Sequence, residues 1–358
     1  MDELVSFIGA SYFRFLGRDQ RYGLSARGLA IGAGDPAVAE EFPHLTEFWI
    51  AAPSAGARQI RVLALLESPS ATGAYEFTFS PGEFTSVEVR ASLFARVEIT
   101  RLGIAPLSSM FLSGSADRHN HRDEFRSNVH DSDLLLARTA EQNWIARPLN
   151  NPRAFRRWNL DAPNVGGFGL LQRERKFENY QDLEAQYEAR PGYWITPGAS
   201  WGPGSIALLE MPADSEGQDN IAAFWSPAEP MAAGSTREWQ YGIKASANEA
   251  APRLGYVAAT HHSNGKRIDD ILERAFYIDF VGGELKFLSA TLANLSTVID
   301  SPGIEAKATI APHRFNGGVR VRIQARAPAD SDALMQAYLI YQGRRVSETW
   351  VTGFHRTQ

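Results

Sequence analysis

No cysteine occurs in the 358 residues. That excludes a disulfide framework, a thiolate zinc site and a thiol nucleophile, although it assigns no compartment. There is no excess of positive charge either: 36 Lys and Arg stand against 41 Asp and Glu, a formal net charge of -5. A dedicated nucleic-acid binder needs a basic face to neutralise phosphates, so a neutral or weakly charged ligand fits better and no nucleic-acid partner is expected. No stretch approaches the roughly 20 apolar residues of a membrane span. The opening MDELVSFIGASYFRFLG lacks the basic region, long apolar run and small-residue cleavage site of a secretory leader. Internal repeats and low-complexity tracts are also missing, as is any regular alternation of strands with long amphipathic helices, which argues against a parallel sheet.

What is present reads as all-β. Segments rich in β-branched and aromatic residues, bounded by Gly, Pro and Asn, recur at residues 59–66, 73–79, 85–93, 204–211, 221–225 and 238–243. Tyr75 to Phe79 and Val87 to Ala91 alternate strictly, as half-buried antiparallel strands do. A sandwich is the natural architecture. One short helix is predicted over Asn179 to Ala189, ended by Arg190-Pro191. The length favours two domains. A small-residue stretch after Ile243 places a β-sandwich domain at 1–246, a linker at 247–262 and a second domain at 263–358. The last hundred or so residues, with short strands at 276–281, 304–310, 318–325, 333–341 and 347–351, have the rhythm of an immunoglobulin-like sandwich.

The densest polar stretch runs from Asp117 to Asp133 and leads into Leu134-Leu-Leu136. Glycoside hydrolysis requires one carboxylic acid to protonate the leaving oxygen and a second carboxylate to activate water or attack carbon. Asp131 and Asp133 are candidates, and if the segment is extended they share a face, so at most one serves as the base; aspartates also cap turns. His119, His121 and His130 in the same stretch could ligate a transition metal, but the intervening arginines oppose a cation and no fixed helical spacing is present, so no metal or cofactor is expected. Asp219, where an acidic loop enters the apolar strand Ile221 to Trp225, is a second carboxylate that burial could turn into a general acid; a turn role is the competing reading. Gly198-Ala-Ser-Trp-Gly202 matches G-x-S-x-G but continues into strand, not helix, and reads as a hairpin turn. Arg14, Arg27, Arg118, Arg147 and Arg190, beside Gly, Pro, Asn or aromatic residues, are either surface arginines or planar donors of a sugar cleft. The eight Trp residues are either core-edge caps or platforms for sugar rings.

Several stretches go beyond such generic signals: Leu24-Ser-Ala-Arg-Gly-Leu-Ala30, Pro106-Leu-Ser-Ser-Met-Phe111, His130-Asp-Ser-Asp133, Arg147-Pro-Leu-Asn-Asn-Pro152, Gly167-Phe-Gly-Leu-Leu-Gln172, Asp219-Asn-Ile221 with Phe224-Trp225, and Ser347-Glu-Thr-Trp350. Together and in this order they resemble the periplasmic glucan biosynthesis family (MdoG, OpgG and OpgD proteins), from Asp2 to about Trp350. The resemblance implies a large galactose-mutarotase-like sandwich, a linker and an immunoglobulin-like domain in a periplasmic protein. It implies anomer-inverting hydrolysis or transglycosylation of β-1,2-glucan, with Asp219 as general acid, Asp131 as general base and Tyr187 near the water path. Arg147, Asn150, Asn151 and Trp194 are then expected in the cleft wall. It further implies a leader and a longer segment ahead of the part matching Ser6 to Gly17, so the first strands of the sandwich are expected to be missing. A membrane glucosyltransferase and a second copy of the chain are the partners to consider. The competing reading is a non-catalytic glucan-binding scaffold.

Overall fold

The computed structural model describes residues 3–118, 124–199, 201–246, 254–288 and 292–355. His119, His121, Ser200 and residues 247–253 of the expected linker lie outside these. Among the described residues the fold is all-β, apart from a four-residue helix at Phe177–Tyr180, another at Leu285–Leu288 and a 3-10 turn at Tyr187–Ala189.

One sheet runs in the order Val5–Gly9, Tyr12–Phe15, Ser25–Arg27, Leu102–Ser109, Ile221–Pro227, Gly204–Glu210 and Arg156–Asp161. It packs against a long second sheet that includes Leu134–Arg138, Gly167–Leu171, Gly192–Pro197, Thr236–Ser246, Ser86–Ala95, Ala71–Ser80 and Ile60–Glu67. Between them lies a large aromatic core that contains Phe13, Phe15, Phe77, Phe79, Tyr193, Trp225 and Tyr241.

The long sheet does not end with this core. Trp144–Pro148 pairs in parallel with Thr349–His355, which carries the sheet on to Asp332–Tyr341 and Leu295–Asp300. That second part faces a smaller sheet built from Tyr256–His262, Ile271–Val281, Gly318–Pro328 and Glu305–His313. Side chains alternate across a strand, so Leu135 and Ala137 enter the first core while Leu134 and Leu136 enter the second. This explains the uninterrupted Leu134-Leu-Leu136 run: both faces of the strand are buried. Two sandwiches thus share one sheet.

Two expectations need correction. Residues 256–262, assigned to the linker, form a strand of the second sandwich, paired with Ile271–Val281. The single helix over 179–189 is replaced by the short helix and the 3-10 turn, because Gln181 and Gln186 adopt left-handed backbone (φ 55° and 47°) and break the helical path.

Candidate functional site

The site is built where the two-stranded ribbon of Phe111–Ser113 and Val129–His130 meets the first sheet. Asp131 follows the ribbon directly, and its N–H donates to the Met110 carbonyl at 2.8 Å. Its carboxylate is almost wholly buried, 4% exposed. Arg190 Nη1 donates to Asp131 Oδ1 at 2.5 Å. Arg190 is itself fixed by bonds from Nε and Nη2 to the Ala185 carbonyl and by stacking over the Tyr187 ring, 4.2 Å from its centroid. Burial pushes the Asp131 carboxyl up to about 6, against the pull of Arg190, and the neighbouring Asp219 adds to the rise.

Asp133 does something else. It accepts the N–H groups of Arg173 and Glu174, all at 3.0 Å. Residues 131–133 are not strand, so the condition under which both aspartates would share a face is not met, and only Asp131 faces the site. His130 stacks on Phe111 and contacts Gln172 Oε1 through Nδ1 at 3.0 Å. Gln172 Nε2 donates to the Tyr187 carbonyl, which leaves Oε1 to accept and assigns the His130 proton to Nδ1. Burial lowers the His130 pKa and keeps the ring neutral.

Asp219 comes from the loop between the strands Gly204–Glu210 and Ile221–Pro227. Its side chain keeps 40% exposure, with Arg14 Nη2 at 3.9 Å. Arg14 is oriented by a 2.7 Å bond from Nε to Ser25 Oγ. Partial desolvation raises the Asp219 pKa, while Arg14 and Arg190 pull it down. The two carboxyls therefore sense common cations from unrelated segments. They differ in access: Asp131 is enclosed and Asp219 is open.

Tyr187 links the two sides. Its ring supports Arg190, and its hydroxyl donates to Glu216 Oε2 at 2.8 Å, in the same loop as Asp219. Glu216 also receives Arg126, 2.8 Å away, which pairs with Glu124 and Asp182. Desolvation and Glu216 push the Tyr187 phenol well up, so it stays protonated.

The four residues expected in the cleft wall are elsewhere. Arg147 is 1% exposed and paired with the fully buried Glu210 at 3.1 Å, with Trp158 beneath its guanidinium. Asn150 donates from its backbone and side chain to the same Glu210 carboxylate. Asn151, also 1% exposed, spends its amide on main-chain groups and on the Asn220 side chain. Trp194 stacks on Trp144 on the long sheet and packs against the second core. A motif rich in Arg and Asn looked like a sugar cleft, but burial makes it internal wiring. The sequence reading grouped Arg14 and Arg190 with other arginines and missed Glu216, Gly23 and Asn220. Gly23 is silent in sequence; a Cβ there would lie 3.0 Å from Arg190 Cβ and 3.3 Å from Asp131 Cγ.

Among the described residues, no three His, Asp or Glu side chains are grouped to hold a metal ion, and no helix is long and apolar enough to cross a membrane.

A family model described as "Periplasmic glucan biosynthesis protein, MdoG" matches residues 1–354. The chain is 41% identical over 358 residues to Glucans biosynthesis protein G 1 of Shewanella oneidensis. It is 42% identical over 355 residues to Glucans biosynthesis protein G of Shewanella putrefaciens, and 41% over 351 residues to that of Vibrio cholerae serotype O1. Each alignment covers 98% of this chain and 64% of the relative.

Proposed function

Because the chain belongs to the periplasmic glucan biosynthesis protein (MdoG) family, we propose that it acts in the periplasm on β-1,2-glucan, by anomer-inverting hydrolysis or transglycosylation. A role in glucan biosynthesis comes with the family; the linkage, the compartment and the chemistry are the further step. The observation that supports catalysis is the pairing of two aspartates in unlike environments, one enclosed on an arginine and one open to ligand. A binding module needs neither.

In this reading Asp219, reached from solvent, gives its proton to the glycosidic oxygen as the C1–O bond breaks. Asp131, ionised above pH of about 6, accepts the proton of the water or acceptor hydroxyl that bonds to C1 from the opposite face. Arg190 occupies Oδ1 and leaves Oδ2 for that proton. Because Asp131 is enclosed, the proton reaches it through a relay of hydroxyls between nucleophile and carboxylate. Tyr187 holds Arg190 in place from below.

The test is incubation with linear β-1,2-glucan, following product length by chromatography and anomeric configuration by NMR. Inverted, shorter or transferred products are expected. Asp219→Asn is expected to keep glucan binding and lose about 10²- to 10⁴-fold in turnover. Intact glucan beside a folded, glucan-binding wild-type protein would replace catalysis by the scaffold reading, in which the protein serves a membrane glucosyltransferase.

A further inference from the structure

The two catalytic backbones hang from one dipeptide. Asp131 N–H donates to the Met110 carbonyl at 2.8 Å. Asn220, next to Asp219, grips the following residue: its Oδ1 accepts Phe111 N–H at 2.8 Å and its Nδ2 donates to the Phe111 carbonyl at 3.0 Å. Asn220 also closes the neck of the acid loop, through Nδ2 to the Met211 carbonyl and through its own carbonyl from Met211 N–H. The loop beyond this neck, residues 214–219, is exposed and has no regular structure.

Asn151 fastens the neck from behind. Its Oδ1 accepts Ala213 N–H at 2.9 Å and Asn220 Nδ2 at 3.4 Å, and its Nδ2 donates to the carbonyls of Ala213 at 2.8 Å and Leu112 at 3.2 Å. Its backbone N–H is held by Asp117 Oδ2 at 3.1 Å. Only a carboxamide offers a donor and an acceptor in this geometry; aspartate has no donor and leucine has neither. Asn151 and Asn220 are 1% and 2% exposed, so water cannot replace the bonds.

We propose that Asn151, acting through Asn220 and Ala213, is the positioning residue that sets Asp219 against Asp131. The assignment of acid and base rests on the function proposed above. A catalytic group must be held within about 0.5 Å, and a misplacement near 1 Å can cost about 10²-fold. An exposed loop cannot supply that precision; the amide pair at its neck does.

The experiment is a double-mutant cycle on the full chain with linear β-1,2-glucan. Asn151→Ala is expected to lower kcat about 30- to 100-fold, with KM changed less than about threefold and the fold retained by circular dichroism. Combined with Asp219→Asn, it should add no further loss, because its effect runs through that carboxylate. Should N151A fail to fold, Asn151→Ser, which keeps one donor and acceptor, takes its place. Site-resolved ¹³C titration of Asp219 gives a readout independent of turnover: partial desolvation is the largest cause of its raised pKa, so a loosened loop that hydrates the carboxyl should let it titrate lower than in the wild type. Additive losses in the cycle, or an Asp219 titration unmoved by the substitution, overturn the proposal. If wild type leaves the glucan intact, the catalytic reading fails, and the titration alone decides whether Asn151 positions Asp219.

Discussion

Arg190 holds the buried Asp131 carboxylate at 2.5 Å. The pair explains why a carboxyl buried this deeply is pushed only to about 6. Burial favours the neutral acid, and the guanidinium recovers much of the ionised form. Removing the cation with Arg190→Ala should therefore raise the Asp131 pKa further. The base acts ionised, so the acid limb of kcat/KM against pH is expected to move above 6, with partial recovery of rate at higher pH. An unmoved limb would separate Asp131 from the rate-determining proton transfer.

Stability should carry the same signature. The Asp131 pKa is raised from 3.8 to about 6, so the native state binds more protons than the unfolded chain between those values. The resulting stability is fully present below pH of about 4 and lost as pH rises through 6. A two-unit shift corresponds to about 3 kcal/mol. Asp131→Asn, which cannot ionise, should be more stable than wild type at pH 7.5 by up to about 3 kcal/mol, and nearly equal to it at pH 4. Urea midpoints at the two pH values measure this; a variant less stable at pH 7.5 would mean that the Arg190 contact outweighs the burial cost.

Gly23 lets the pair close. An added Cβ meets Arg190 Cβ at 3.0 Å and Asp131 Cγ at 3.3 Å, so one neighbour must yield by a few tenths of an ångström. Gly23→Ala should loosen the contact without removing either charge. The expected result is a smaller upward shift of the acid limb than in R190A, with about a tenfold loss in turnover. A turnover and limb equal to wild type would show that the pocket absorbs a methyl group.

Much of this architecture is legible from period-two patterning. The strands predicted at 73–79 and 318–325 lie inside Ala71–Ser80 and Gly318–Pro328, and that at 85–93 overlaps Ser86–Ala95 in all but its first residue, because half-buried strands must alternate. The shared sheet is less legible. Leu134-Leu-Leu136 signals burial on both faces, but nothing local says that the second face belongs to another core. Motif resemblance picks out Asp131, Asp219 and Tyr187, which the fold brings to one place. It cannot tell Arg147 from Arg190, since whether an arginine lines a cleft or fills an interior depends on long-range neighbours such as Glu210. The Asn151 and Asn220 amides are unreadable for the same reason: apart from each other, the partners of their side chains are main-chain groups, which leave no trace in residue identity.

The last consequence concerns the second sandwich. Arg173 forms a two-pronged pair with Glu348, at 2.6 and 2.8 Å, and Nη1 also bonds the Val257 carbonyl. Val257 N–H returns a bond to Glu348, and Tyr256 lies under the guanidinium. The pair joins the two sandwiches and is nearly dry, at 7% and 0% exposure. On the other side, Asp133 grips the Arg173 backbone two residues from Asp131. Breaking a buried pair by removing one charge strands the other, at a cost of about 3–5 kcal/mol, whereas replacing both with apolar residues can be near neutral. Glu348→Gln should therefore destabilise the whole chain by about that amount, and Arg173→Met with Glu348→Leu should recover most of it. Because one sheet serves both cores, tryptophan fluorescence and circular dichroism should follow a single transition in urea for the wild type and for the double variant. Two separated transitions in the wild type would mean that the sandwiches fold independently and that the second one does not support the site.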